Sequence, residues 1–150
     1  MLDRFAQFST AISTIYRCVQ KLEREEMVTY GYKGAFAQYL VTLNRHPEGL
    51  TLVELCDLCD KDKAAVSRMV GEMEEKDLVR RERKGDRVYK AVVKLTEEGR
   101  RAADFVATRA CAAVAAVGKE LSDSDRAVFY AALTAISTNL QALTKEGIPL

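Results

Sequence analysis

The chain has 150 residues and a formal net charge of +1, with 48% hydrophobic and 30% charged residues. That balance excludes a disordered or low-complexity chain, and the length allows a buried core without metal or disulfide staples. Uncharged runs such as Ala110 to Gly118 fall short of the ~20 apolar residues that span a bilayer, and the longest, Ala127 to Thr144, is interrupted by Thr134, Ser137, Thr138, Asn139 and Gln141. Asp3 and Arg4 stand at the start with no apolar signal region, so a cytoplasmic protein without a membrane partner is expected.

The first predicted element is a helix from Leu2 to about Met27. Phe5, Phe8, Ile12, Ile15, Val19 and Leu22 recur at alternating steps of three and four, the seam of a packed helix. The glycines of the Tyr30–Gly34 stretch end it. A shorter helix over Ala35 to Arg45 puts Phe36, Tyr39, Leu40 and Leu43 on one face. His46-Pro47-Glu48-Gly49 is a turn, because proline cannot continue the helix and glycine permits positive φ.

Thr51, with Glu54 at the N3 position, forms a capping box, so a helix starts at Leu52 with Leu55, Cys56 and Cys59 inward. Asp60-Lys61 is a tight connection in which Asp60 tolerates the left-handed conformation. Asp62 caps the next helix, which runs to about Lys76 with Val66, Met69, Val70 and Met73 inward. Two helices joined this tightly form a helix-turn-helix. The period then changes. Leu78 to Glu82 reads as a strand, Arg83 to Arg87 as a charged tip, and Val88 to Leu95 as the β-branched return strand. A ribbon directly after a helix-turn-helix is a wing.

The remainder is helical. Thr96 caps a helix with Gly99 in its first turn and a stripe of Val106, Ala110, Ala113, Val114 and Val117. After Gly118, Ser122 and its neighbours restart a helix. Phe129, Leu133, Ile136, Leu140 and Leu143 form a second heptad-like seam. A compact winged core cannot bury both terminal seams. They call for a symmetric partner or for packing of the first and last helices on each other.

Cys56 and Cys59 form a C-x-x-C, but the chain has four cysteines, no second such pair and one histidine, His46. A structural zinc site needs four ligands, and the helical surroundings lack the βαβ context of a redox pair. These thiols read as small core side chains, and no metal or cofactor is expected. The chain has no nucleophile motif and no phosphate-cradling glycine loop, so an enzyme is not expected.

The net charge conceals a polarity. Lys76 to Lys94 carries eight bases against three acids, an excess of +5, while Glu48 to Asp60 carries four acids and no base. A basic ribbon beside a helix-turn-helix suits the phosphate backbone of double-stranded DNA.

Together, Leu50-Thr51, Glu54-Leu55-Cys56, Val66-Ser67-Arg68-Met69-Val70, Glu74 to Arg81, Gly85-Asp86-Arg87 and Leu95 to Gly99 resemble the MarR family of bacterial transcription regulators. The resemblance implies a mostly α fold with a small two- to three-stranded β-wing. Residues 34–99 would be the winged helix-turn-helix domain. Residues 1–33 and 100–150 would supply interlocking dimerisation helices, the whole forming one intertwined unit. It also implies a homodimeric repressor or activator on a pseudo-palindromic operator, with recognition helices about 34 Å apart, relieved by a small ligand. Carried over, Lys61, Lys63, Ala64, Ala65, Ser67 and Arg68 would lie at the major groove or its rim, with Arg68 reaching guanine or a phosphate. Arg81 would join the wing's contacts. Arg83, Lys84 and Arg87 are all candidates to enter the minor groove, with Asp86 beside Arg87. Tyr30, Tyr32, Phe36 and Tyr39 supply aromatic surface for a small aromatic ligand, or are plain core. An alternative is a thiol switch at Cys18, placed as in the hydroperoxide-sensing branch of the family.

Overall fold

The computed structural model describes residues 2–83 and 91–147. Its elements are α1 (Leu2–Tyr30), α2 (Phe36–Asn44), α3 (Leu52–Cys59), α4 (Lys63–Glu75), β1 (Val79–Arg83), β2 (Ala91–Leu95), α5 (Glu97–Val117) and α6 (Asp123–Glu146). The chain divides into two compact units, residues 1–112 and residues 113–150.

In the first unit, α1 runs past Met27, which is fully buried, to Tyr30. Gly31 then takes φ +111°, and the Tyr32 N–H returns to the Met27 carbonyl at 3.1 Å. That left-handed exit needs glycine, and it moves the predicted helix end one turn later. The core gathers Met27, Phe36, Leu40, Leu43, Leu55, Val66, Val70, Met73, Leu78, Val93 and Val106, all nearly inaccessible. Val66, Val70 and Met73 recur at four and three residues, so α4 buries one stripe and exposes the opposite one.

Asp77 ends α4 in the left-handed region with φ 56°, and the Leu78 N–H donates to the Met73 carbonyl at 2.9 Å. Leu78 is therefore a buried anchor, and β1 begins at Val79, one residue after the predicted start. β1 and β2 pair antiparallel from Val79↔Leu95 to Arg83↔Ala91. Leu50 adds a bridge to Val93, exchanging hydrogen bonds of 3.0 and 2.7 Å. The expected two- to three-stranded wing is thus a two-stranded ribbon plus a one-residue third edge. The sequence positions 84–90 of its tip lie outside the described residues.

The Thr96 hydroxyl donates to the Asp77 carbonyl at 2.6 Å and accepts from the Gly99 N–H at 3.0 Å, fastening α5 to the end of α4. In the second unit, Ser122 caps α6 by accepting from the Asp125 N–H at 3.1 Å. Arg126 donates to the Gly118 carbonyl at 2.8 Å across the bend that precedes α6. No residue of α6 is buried.

Candidate nucleic-acid interface

Local chemistry sets the start of α4. Glu54 Oε2 accepts from the Thr51 N–H at 2.7 Å and the Glu54 N–H donates to Thr51 Oγ1 at 3.2 Å, closing the predicted capping box. Asp60 takes φ 51° and ψ 53°, as the sequence suggested. Asp62 Oδ1 accepts from the Ala65 N–H at 2.8 Å. These contacts fix where α4 begins and hence which side chains its outer stripe carries.

Lys63, Ala64, Ser67 and Arg68 are exposed on α4, and Lys61 is exposed just before it. Ala65 is half-buried and, with Lys61 and Met69, faces a cleft against α1 and α2. The structure therefore splits the predicted set. Lys63, Ala64, Ser67 and Arg68 share the open side, while Lys61 and Ala65 sit at its inner edge. Gly71 continues the open side one turn on, and a Cβ there would meet nothing within 4 Å. Sequence reasoning passed over it, although its spacing from Ala64, Ser67 and Arg68 was the signal. Glu72 pairs with Lys33 of the α1–α2 connection, and that hydrogen bond holds its carboxyl below the ordinary range.

The ribbon is less uniformly cationic than its composition. Arg81 pairs with Glu74 of α4 at 3.4 Å. Arg80 and Lys94, opposite each other in register, both pair with Glu82 at 2.6 and 2.9 Å. Hydrogen bonds from Lys94 and Arg80 lower the Glu82 carboxyl accordingly. Arg83 is exposed and without an ion-pair partner among the described residues. Lys84, Asp86 and Arg87 lie outside the described residues.

The four aromatic candidates do not line one cavity. Tyr39 is buried at the wall of a cleft of about 320 Å³ that also has Gln20, Glu23, Arg24, Gln38 and Lys61. Tyr32 and Phe36 border another of about 530 Å³, with Lys33, Glu72 and Glu75. Tyr30 packs its ring 5.1 Å from Phe105 and 6.0 Å from Tyr32. The Tyr32 hydroxyl donates to Glu98 at 3.2 Å. Burial, and then the Glu98 charge, push the Tyr32 phenol up.

Cys59 is buried, and burial raises its thiol, while Cys56 is half-buried. Cys18 and Cys111 are exposed. Among the described residues no cluster of three or more histidine, cysteine or carboxylate side chains could hold a metal. None of their helices is long and apolar enough to cross a membrane.

The MarR family model matches residues 30–87. No curated protein sequence matches the chain significantly. Solved structures resemble it along almost its whole length. A MarR family protein from Bacillus stearothermophilus has a TM-score of 0.77 at 20% identity, covering 94% of this chain and 98% of its own. A putative MarR family transcriptional regulator from Listeria monocytogenes, solved with a 26mer DNA, has a TM-score of 0.75 at 17% identity, covering 94% and 95%. A MarR family transcriptional regulator from Silicibacter pomeroyi has a TM-score of 0.74 at 24% identity, covering 93% and 92%. The winged segment of this chain thus matches the MarR family model, and its fold is the one shared by these solved MarR family structures.

Proposed function

We propose that the chain binds a pseudo-palindromic DNA operator as a homodimer and is released from it by a small ligand. The observation that carries the reading is the open side of α4. Lys63, Ala64, Ser67 and Arg68 lie exposed together on a helix whose start is fixed by Asp60 and Asp62, beside a ribbon with exposed Arg83. Arg68 is the residue suited to guanine O6 and N7, and Ser67 to a phosphate. Ala64 and Gly71 permit close approach. Lys84, Asp86 and Arg87, which lie outside the described residues, are assigned to the same surface from their sequence positions alone. The Listeria monocytogenes protein was solved with DNA, and its likeness in fold supports the same use here.

Residues 1–33 and 100–150 supply the dimer contacts in this reading. α1 exposes Phe5, Ile12 and Ile15, and α6 exposes Phe129, Ile136 and Leu140, more apolar surface than an isolated soluble chain ordinarily leaves open. The cleft beside Tyr39 suits the ligand, since its roughly 320 Å³ falls in the size range of small-molecule sites and it touches the inner side of α4. An occupant there would bear on Lys61, Ala65 and Met69 and so on the recognition helix.

The test is fluorescence anisotropy with duplex from upstream of the gene and with scrambled duplex, across a salt series. Specific regulation requires tighter binding to the upstream duplex at every salt concentration. Equal affinity for both duplexes throughout would refute the specific reading.

A further inference from the structure

We infer that the cleft between the β1–β2 ribbon, the α2–α3 turn and the start of α5 binds an oxyanion of the phosphate class through Arg80, Lys94 and Arg100. The cleft holds about 140 Å³ and is bordered by His46, Pro47, Arg80, Lys94 and Arg100. That volume is below the size of drug-like pockets and suits a compact ion. It shares no lining residue with the Tyr39 cleft.

The cations are held rather than scattered. Arg80 and Lys94 stand opposite each other in the ribbon. Glu82 fixes both, with Arg80 Nη2 at 2.6 Å from Oε1 and Lys94 Nζ at 2.9 Å from Oε2. The stem of Lys94 lies against the α2–α3 turn, where Gly49 has φ +85° and an added Cβ would stand 2.7 Å from Lys94 Cγ. The turn is thus shaped to admit that lysine. Arg100 approaches from α5, exposed and without a carboxylate partner among the described residues. His46 adds a ring whose Nδ1 lies 2.9 Å from the Thr42 carbonyl. That carbonyl accepts, so Nδ1 carries the hydrogen and Nε2 is left for another partner.

Glu82 pairs with Arg80 and Lys94, and Asp104 accepts from the cleft's Asn44 at 2.8 Å, so three cations stand against two carboxylates and the cleft keeps a positive excess. Like charges converging in a concavity raise the local potential, and an oxyanion relieves their repulsion through charge-assisted hydrogen bonds. Guanidinium groups match the geometry of phosphate oxygens. The ion has two sources, a free phosphorylated molecule or a phosphate of the DNA backbone.

Calorimetric titration with inorganic phosphate, against chloride at equal ionic strength, tests the site in the full chain and in Arg100→Ala. Arg100 is exposed, so its removal leaves the core intact. Arg100→Lys is the second variant, retaining charge but not the planar fork. Phosphate is expected to bind the wild type, roughly tenfold or more weakly to Arg100→Ala, and with intermediate strength to Arg100→Lys. Absence of phosphate-specific heat in the wild type, or equal binding by Arg100→Ala, overturns the site. Given phosphate binding that needs Arg100, duplex affinity then separates the sources. Weaker DNA binding with a shallower salt slope in Arg100→Ala assigns the ion to the backbone. Unchanged DNA binding assigns it to a free phosphorylated molecule. The phosphate titration reads out even if the chain binds no DNA, so its failure is distinguishable from failure of the regulator reading.

Discussion

Gly99 stands where α5 leaves the ribbon, and a Cβ there would fall 1.9 Å from the Leu78 carbonyl oxygen. Backbone cannot yield as a side-chain tip can, so the close approach of α5 to Leu78 requires glycine. Gly99→Ala is expected to cost about 2 kcal/mol or more, seen as a lower urea midpoint. An unchanged midpoint would mean that α5 does not pack there. Asp62→Ala should cost about 1 kcal/mol through the lost cap while Asp62→Asn keeps most of it, measured in the same way. Caps of this kind were legible in the sequence because donor and acceptor lie within three residues of each other. Thr51 with Glu54, Asp62 with Ala65, and Ser122 with Asp125 are all local pairs. The left-handed Asp60 was legible for the same reason, whereas the equivalent role of Asp77 was missed. Its signal, a polar residue followed by a buried leucine, resembles the start of a strand.

Among the elements, α4 and the ribbon illustrate the boundary of what composition conveys. The stripe of Val66, Val70 and Met73 prescribes the open side of α4 through helical period alone. The ion pairs of the ribbon do not follow from period. Arg81 meets Glu74 across the α4–β1 turn, and Glu82 bridges Arg80 to Lys94 through strand register. The excess of +5 over Lys76 to Lys94 therefore overstates the charge the ribbon leaves unpaired. The four aromatics read as one surface divide between two clefts and a cluster of tilted rings, with Gly31 turning the chain between Tyr30 and Tyr32.

α1 carries its own prediction. Burial raises the Glu23 carboxyl above its ordinary value, against a smaller opposing pull from Arg45. A carboxyl raised in the folded state contributes stability below its unfolded value, and loses it as pH rises through the folded value. Near neutral pH Glu23 is thus a cost, and Glu23→Gln should be more stable than wild type there. The gap should close below about pH 4. Urea midpoints at the two pH values check it, and a variant less stable than wild type at neutral pH contradicts the sign.

For the whole molecule, the informative feature is apolar surface without cover. Phe5 is 69% exposed, Ile15 53%, Phe129 44% and Leu140 48%. Heptad spacing made these seams visible in the sequence, but spacing does not name the partner surface. If the seams meet a second copy, Ile12→Glu or Leu140→Glu should convert a dimer to a monomer in sedimentation velocity. A wild-type chain that sediments as a monomer at micromolar concentration would remove the dimer from the account. In the proposed homodimer, two copies of α4 would read two half-sites, and symmetry of the protein would become symmetry of the DNA.

The most direct test of that claim is selection of bound duplexes from a random pool, followed by sequencing, for the wild type and for Arg68→Ala. The expected result is a two-fold symmetric sequence with half-sites about one duplex turn, ~10 base pairs, apart. Arg68→Ala should relax the preference at one position in each half-site. A pool without a shared sequence, or a symmetric site left unaltered by Arg68→Ala, would contradict the assignment of α4 as the reading helix.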